Sequence, residues 1–263
     1  MSPLDEAGAP AAAAAPRPIV LALGRAPGAP GRSTSLTLID GRTLLRRLLD
    51  RLDELSELAS ITLPHPFVLV PADVAAAVAT EIGDAATVLT VPEDVAAPTD
   101  LTAPGHLTAP EAHRAALRTA LAHSREELLL VHEAERALTP VASMHAVLTT
   151  LTPDDDAAVP TIDVTDSVKR TTSSGLVNVD RTSLTTLQCP RLIRRSALEL
   201  ALAQPAGTGD EIRALLAAGG RVRHVHGSHD GFAVQDRLSL WQAQISLGVA
   251  RNTTQPQGLG RRV

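Results

Sequence analysis

The chain has 263 residues, 44% of them hydrophobic, which suits one sizeable α/β domain with a buried core. Its net charge is −5 and no Lys/Arg block stands out, so nucleic-acid binding, which draws most of its affinity from a basic face, is not expected. Cys189 is the one cysteine, which excludes an intramolecular disulfide and points to a reducing cytoplasm, and no apolar run approaches membrane-spanning length.

Residues 1–17 are Ala/Pro-rich, with Asp5 and Glu6 and no basic start, and are expected to form a disordered tail rather than a signal peptide. Ile19–Leu23, between Pro18 and Gly24, fits a buried first strand. Gly24–Thr34, with three Gly and two Pro, reads as a loop. Arg42–Leu58 carries Leu44, Leu45, Leu48, Leu49, Leu52 and Leu55 at helical spacing, the stripe of an amphipathic helix. Phe67–Val70 predicts a second strand and Asp73, as N-cap, a helix to about Ile82; Thr87–Val91 predicts a third strand. The stretch 92–110 lacks periodicity and reads as a surface loop, and Pro110 opens a helix to about His123.

Leu128–Val131 is apolar on both faces, hence a central, parallel strand. Pro140–Leu151 is helical in pattern, and Asp154–Asp156 reads as a solvated turn. From Val159 to Thr186 β-branched and polar residues alternate around Ser173-Ser174-Gly175, a hairpin-like excursion. Helices follow at Arg194–Ala203 and Asp210–Ala218, then a strand at Val222–Val225 and a helix at about Gln235–Leu247; 249–263 is expected to be a flexible tail. Strands alternating with helices predict a doubly wound, mostly parallel sheet over 18–248. Ligands bind such sheets beyond the C-terminal strand ends, where Gly24–Thr34, Glu133 and Gly227 should gather.

The order of motifs resembles one family. Val131-His132-Glu133-Ala134-Glu135-Arg136 is similar to the Val-His-Asp-Ala-Ala-Arg-Pro segment of the methylerythritol-phosphate cytidylyltransferases. Asp166-Ser167-Val168-Lys169-Arg170 resembles their Asp-Thr-hydrophobic-Lys motif at the start of a β-arm. Asp180-Arg181-Thr182-Ser183-Leu184 and Gln188-Cys189-Pro190-Arg191 resemble Asp-Arg-x-x-Leu and Gln-Thr-Pro-Gln, and Gly209-Asp210-Glu211 follows a Thr-Asp-Asp/Glu segment. The resemblance covers roughly 18–248. It implies a nucleotide-diphospho-sugar transferase-like, Rossmann-like fold and a homodimer clasped by an arm at about 161–182. The implied reaction is attack of a sugar-alcohol phosphate on the α-phosphate of CTP, with Mg²⁺ held by carboxylate and with Lys and Arg offsetting the developing charge.

Residue by residue, the resemblance assigns Ala22, Leu23 and Gly24 to the nucleotide phosphates, Ser167, Lys169 and Arg181 to the sugar phosphate, and Glu133 and Asp210 to the metal. Each has a plainer alternative. Glu133 reads equally as an exposed strand-end acid, Asp210 as a helix N-cap, and Lys169 and Arg181 as solvated charges of the arm. Arg136 reads as a loop tie and Cys189 as a packing residue, and His224-x-His226 lacks the partners of a metal site.

The chain also departs from the family. The phosphate loop has Ala26 for a second Gly, and Pro27 near the family's Arg. Ser33-Thr34 replaces a Pro-Lys, Asp230-Gly231-Phe232 replaces Asn-Ile-Lys, and a loop serine aligns with Ala116. Arg25 and Arg32 are the only loop cations placed to substitute. The resulting expectation is a family member of weak or absent activity. The alternatives are a non-catalytic scaffold or regulatory dimer, and a nucleotidyltransferase acting on another sugar or polyol phosphate.

Overall fold

Successive side chains of a strand face opposite sides of a sheet, and the first strand already sets up two cores. In the computed structural model, which describes residues 15–26, 29–91, 110–205 and 210–248, Val20 enters one core while Ile19 and Leu21 enter the other. The N-terminal elements are β1 (Arg17–Leu21), α1 (Leu44–Ala59), β2 (Phe67–Pro71), α2 (Ala75–Ile82), β3 (Thr87–Val91), α3 (Pro110–His123) and β4 (Leu128–Glu133). There follow α4 (Val141–Thr150), β5 (Ala157–Asp163), the arm strands β6 (Val168–Thr172) and β7 (Gly175–Val179), then β8 (Thr185–Leu187) and β9 (Arg191–Arg194). The last are α5 (Arg195–Ala203), α6 (Glu211–Ala217), β10 (Val222–His226) and α7 (Arg237–Ser246).

The main sheet runs β3-β2-β1-β4-β9-β5-β10, parallel throughout except for β9. β8 pairs antiparallel with the far end of β5, on the edge that β9 also uses. Residues of α1, α2, α4 and α7 pack with Val20, Val68, Val70 and Leu130 on one face. Those of α3, α5 and α6 pack with Ile19, Leu21, Leu129 and Val131 on the other. This is the predicted doubly wound α/β layering.

The six α1 leucines at that spacing are all buried, whereas the seventh, Leu58, is exposed. Each buried leucine contributes roughly 1.5–3 kcal/mol of apolar burial. Thr43 caps the helix by accepting the Arg46 N–H at 3.1 Å, and its own hydroxyl donates to Glu81 at 2.8 Å.

Several expectations need correction. β1 begins at Arg17, inside the expected tail, where the backbone of Arg17 is in register with Leu129 of β4 and its guanidinium lies 4.7 Å from the Phe67 ring. Asp73 lies in a 3-10 turn before α2 and caps nothing; Val74 is the N-cap, without a side-chain bond. Asp155 is buried rather than solvated, accepting bonds from Arg223 and Thr152 that hold its carboxyl well below the usual range. Val159–Asp163 belongs to the main sheet, so the arm proper is the β6–β7 hairpin turning at Ser173-Ser174. β9 is not expected from the sequence: it is four residues long, and Arg191 reads as polar although it is buried. Pro27, the 92–109 loop, Gly209 and the tail 249–263 lie outside the described residues. No helix among the described residues is long and apolar enough to cross a membrane.

Candidate functional site

Three segments meet beyond the C-terminal ends of β1, β4 and β10, as expected of this kind of sheet. The sheet register sets Leu21 opposite Glu133 and His226 opposite Thr161, so the chain leaves the three strands at one level. After β1, the Ala22 N–H donates to Leu69 O at 3.0 Å. The Gly24 N–H donates to Glu135 Oε1 at 3.2 Å, and the Gly24 carbonyl accepts the Thr34 N–H at 3.0 Å. Between these ties Arg25–Ala26 pairs antiparallel with Ala29–Ser33, so the expected loop is a small hairpin.

After β4 the 3-10 turn Ala134–Arg136 folds the Glu135 side chain back toward Gly24. Glu135 is only 6% exposed, and burial pushes its carboxyl up to about 7. Its carbonyl accepts the Val234 N–H at 2.8 Å, while Arg136 Nη1 donates to Gly231 O at 2.7 Å. Gln188 reads the next stretch through both ends of its amide, donating to Ser228 O at 2.7 Å and accepting the Ser228 N–H at 3.0 Å. A Cβ on Gly227 would collide with Gln188 Oε1, so the close approach requires glycine there.

A chain of ion pairs runs beneath these loops. Arg136 Nε donates to Glu133 Oε2 at 2.9 Å, and Arg191 Nη2 to Glu133 Oε1 at 3.0 Å. Arg191 Nη1 donates to Glu211 Oε1 at 2.8 Å, and His113 Nε2 meets Glu211 Oε2 at 2.6 Å. Arg191, Glu211 and His113 are buried. Burial alone would raise both carboxyls. Arg191 with Arg136 at Glu133, and Arg191 with His113 at Glu211, outweigh it and hold both below the usual range. Arg191 is raised in turn, its carboxylates outweighing its own desolvation.

The candidate residues separate against this frame. Ala22 and Leu23 are buried, and the amides of Ala22 and Gly24 are committed to Leu69 and Glu135. Arg25 is held by Asp73 at 2.6 Å, whereas Arg32 is exposed and pairs with none of the described residues. Ser33 and Thr34, where the family has Pro-Lys, are buried, and Ser33 caps the 3-10 turn 34–36.

Both oxygens of Glu133 accept from guanidinium groups, and Asp210 caps α6 through the Arg213 N–H at 2.9 Å. Glu133 thus keeps for a cation only the lone pairs that its two guanidinium partners leave, and Asp210 the oxygen not used in the cap. Of Asp210's two readings, the N-cap is the one the geometry gives. No group of three potential metal ligands occurs among the described residues, His224 and His226 included.

Ser167 and Lys169 are exposed on the arm, Lys169 donating to Asn178 across the hairpin at 2.7 Å. Arg181 lies at the arm's base, donating to Thr165 O. With Asp163, Val164, Thr165, Thr182 and Leu184 it lines a cleft of about 400 Å³. No bond among the described residues joins Ser167, Lys169 or Arg181 to the Gly24 or Glu133 segments.

Ala116 is buried within α3, so its alignment with a loop serine carries no functional weight. Phe232 packs half-buried on the first core, where the family places a lysine. Cys189 is a packing residue, its thiol pushed up to about 12 by burial.

Glu135, Arg191, Glu211 and His113 were not singled out in the sequence. The signal for three of them was present: Glu135 stands at an alanine of the Val-His-Asp-Ala-Ala-Arg-Pro motif, Arg191 at the last Gln of Gln-Thr-Pro-Gln, and Glu211 at the last acid of Thr-Asp-Asp/Glu.

Comparison with known proteins agrees with this frame. The pattern of the family described as IspD: 2-C-methyl-D-erythritol 4-phosphate cytidylyltransferase matches residues 29–249. Over 121 residues the chain is 38% identical to a bifunctional enzyme IspD/IspF of Clavibacter michiganensis subsp. michiganensis, a match covering 45% of this chain and 30% of that protein. The match to the corresponding Hyphomonas neptunium protein covers 28% of it, so the chain spans under a third of the curated relatives it matches. In fold it is similar to the 2-C-methyl-D-erythritol 4-phosphate cytidylyltransferase of Thermus thermophilus, with TM-score 0.64 and 20% identity over 89% of this chain and 100% of that one.

Proposed function

Because the chain belongs to the 2-C-methyl-D-erythritol 4-phosphate cytidylyltransferase family, we propose that it keeps the family's sheet and arm while transferring a cytidylyl group poorly or not at all. The observation that carries this is the Arg191–Glu133 pair at 3.0 Å. Arg191 stands at a Gln of the family motif and takes an oxygen of the acid that would face the metal, while Arg136, which the motif also has, takes the other at 2.9 Å. The cationic side tells the same story. Thr34 is buried where a lysine would reach the phosphates, Phe232 packs on the core, and Arg25 is held by Asp73. Removing one donor to a developing oxyanion costs roughly 10²–10³ in rate, so two missing lysines are enough to stop useful turnover.

On this reading the protein retains at most nucleotide or sugar-phosphate binding, in the cytoplasm, as a homodimer clasped by the arm. Leu176 and Val177 support the arm contact, being 72% and 41% exposed on a two-stranded hairpin. The sugar-phosphate side rests on Arg181, which lines the cleft at the arm's base, with Ser167 and Lys169 exposed on the arm beyond it. Calorimetric titration with CTP and Mg²⁺, run beside a pyrophosphate-release assay, tests the proposal. Weak or absent heat and no release are expected; tight CTP binding with steady release contradicts it.

Arg32 favours one second reading, nucleotidyl transfer to another sugar or polyol phosphate, because it is exposed and unpaired among the described residues. In that case Arg32→Ala abolishes whatever transfer the wild type performs, and unchanged transfer rejects the reading.

A further inference from the structure

Gly24 begins the segment that, in the proposed reading, would cradle the nucleotide's phosphates. Such cradles work through backbone N–H groups aimed at an anionic oxygen, with glycine allowing the anion to approach the main chain. Both halves of that arrangement are present here, and the oxygen is supplied by the protein. Glu135 Oε1 accepts the Gly24 N–H at 3.2 Å, and it fills the space in which a Cβ on Gly24 would stand.

The side chain is not a surface residue that happens to fall nearby. Glu135 is 6% exposed, and its own carbonyl is bonded to Val234 N–H at 2.8 Å, which fixes the turn that aims the carboxyl at Gly24. The guanidinium of the next residue, Arg136, bonds Glu133 and Gly231, so Glu135 receives no hydrogen bond from the cation beside it. The loop has therefore exchanged an external ligand oxygen for a side-chain oxygen of the protein. At the same position the family motif has alanine, which leaves such a space open.

We infer that Glu135 is the built-in occupant of the phosphate seat, taking the Gly24 N–H and the space over that glycine, and that it is the residue which sets this loop against polyphosphate ligands. This rests on the Gly24 segment being the phosphate loop of the family fold. The side chain opposes a polyphosphate in two ways: it takes a donor and the space over Gly24, and above about pH 7, where burial no longer keeps it protonated, it places like charge against the ligand. Alanine relieves both effects, whereas glutamine relieves only the charge.

The test is calorimetric titration of inorganic tripolyphosphate at about pH 8, where the Glu135 carboxyl is ionised, into the wild type, Glu135→Ala and Glu135→Gln. Expected is at least a tenfold gain in affinity for Glu135→Ala, with a smaller gain for Glu135→Gln. Affinity for Glu135→Ala no tighter than wild type, including no binding by either, overturns the inference. Should Glu135→Ala fail to fold, the Gly24 amide resonance decides. It must shift in Glu135→Gln and shift again on tripolyphosphate addition; an amide indifferent to both overturns the inference. None of these readouts involves turnover. An active wild-type enzyme would defeat the proposed function, whereas an unaltered tripolyphosphate affinity would defeat this inference alone.

Discussion

Gly24 and Glu135 are 111 residues apart in the chain and in contact in the fold, the glycine N–H donating to Glu135 Oε1 at 3.2 Å with no room left for a Cβ. A Cβ at Gly24 would stand 2.3 Å from Glu135 Oε1, so the buried carboxyl would have to give way and lose its bond to the Gly24 N–H. Gly24→Ala should therefore cost about 1–3 kcal/mol in the wild type, as overpacking does. In the Glu135→Ala background most of that cost should vanish, because the next contact is Thr34 Oγ1 at 3.2 Å. Urea denaturation of the four proteins measures the coupling, expected at about 1 kcal/mol or more. Strictly additive losses would contradict the contact.

The same acid gives the protein a pH signature. Burial raises the Glu135 carboxyl from 4.5 to about 7, so the folded state holds this proton where the unfolded chain has lost it. Its contribution is therefore fully present below about pH 4.5, falls as pH rises toward 7, and is lost above, by roughly 3 kcal/mol in all. Glu135→Gln removes that slope, so its stability relative to the wild type should climb across the window. Parallel stability curves for the two proteins would refute the assignment.

Beneath the loops, Arg191 joins Glu133 to Glu211, and His113 takes the remaining oxygen of Glu211. Removing one member of a buried ion pair leaves its partner uncompensated, at a cost of about 3–5 kcal/mol. Glu211→Gln should reach that range, with Glu133→Gln costing less because Glu133 is half-buried and Arg136 can shift toward solvent. Thermal unfolding ranks the two; a Glu211→Gln loss below about 1 kcal/mol would mean the chain of pairs holds little.

The arm predicts an assembly. Leu176 lies on the exposed face of the β6–β7 hairpin, and a charge there opposes burial against a second copy. Leu176→Asp should convert a dimer to a monomer in sedimentation velocity without changing the circular dichroism spectrum. A wild type that sediments as a monomer, or a variant that stays dimeric, removes the arm from the assembly.

Much of the architecture was legible because it depends on local pattern. The leucine spacing of α1, the apolar run of β4 and the Ser173-Ser174-Gly175 turn each specify an element from neighbours in sequence. Thr34 and Phe232 at positions where the resemblance places lysines were legible too, since a residue's identity needs no geometry. What became of the remaining charges was not. Glu133 finds Arg191 58 residues away and Glu135 finds Gly24 at 111, so their burial depends on contacts that no local pattern encodes. Asp155 reads as solvated for the same reason, its partner Arg223 lying 68 residues on. Ala116 failed differently: a motif alignment placed a helix-core position in a loop.

Pyrophosphate release should be followed at high protein concentration with CTP, Mg²⁺ and 2-C-methyl-D-erythritol 4-phosphate, against a conventional member of the family. The loss of two cations and the bridged Glu133 predict release indistinguishable from a protein-free control. Release within tenfold of the conventional enzyme would contradict the account.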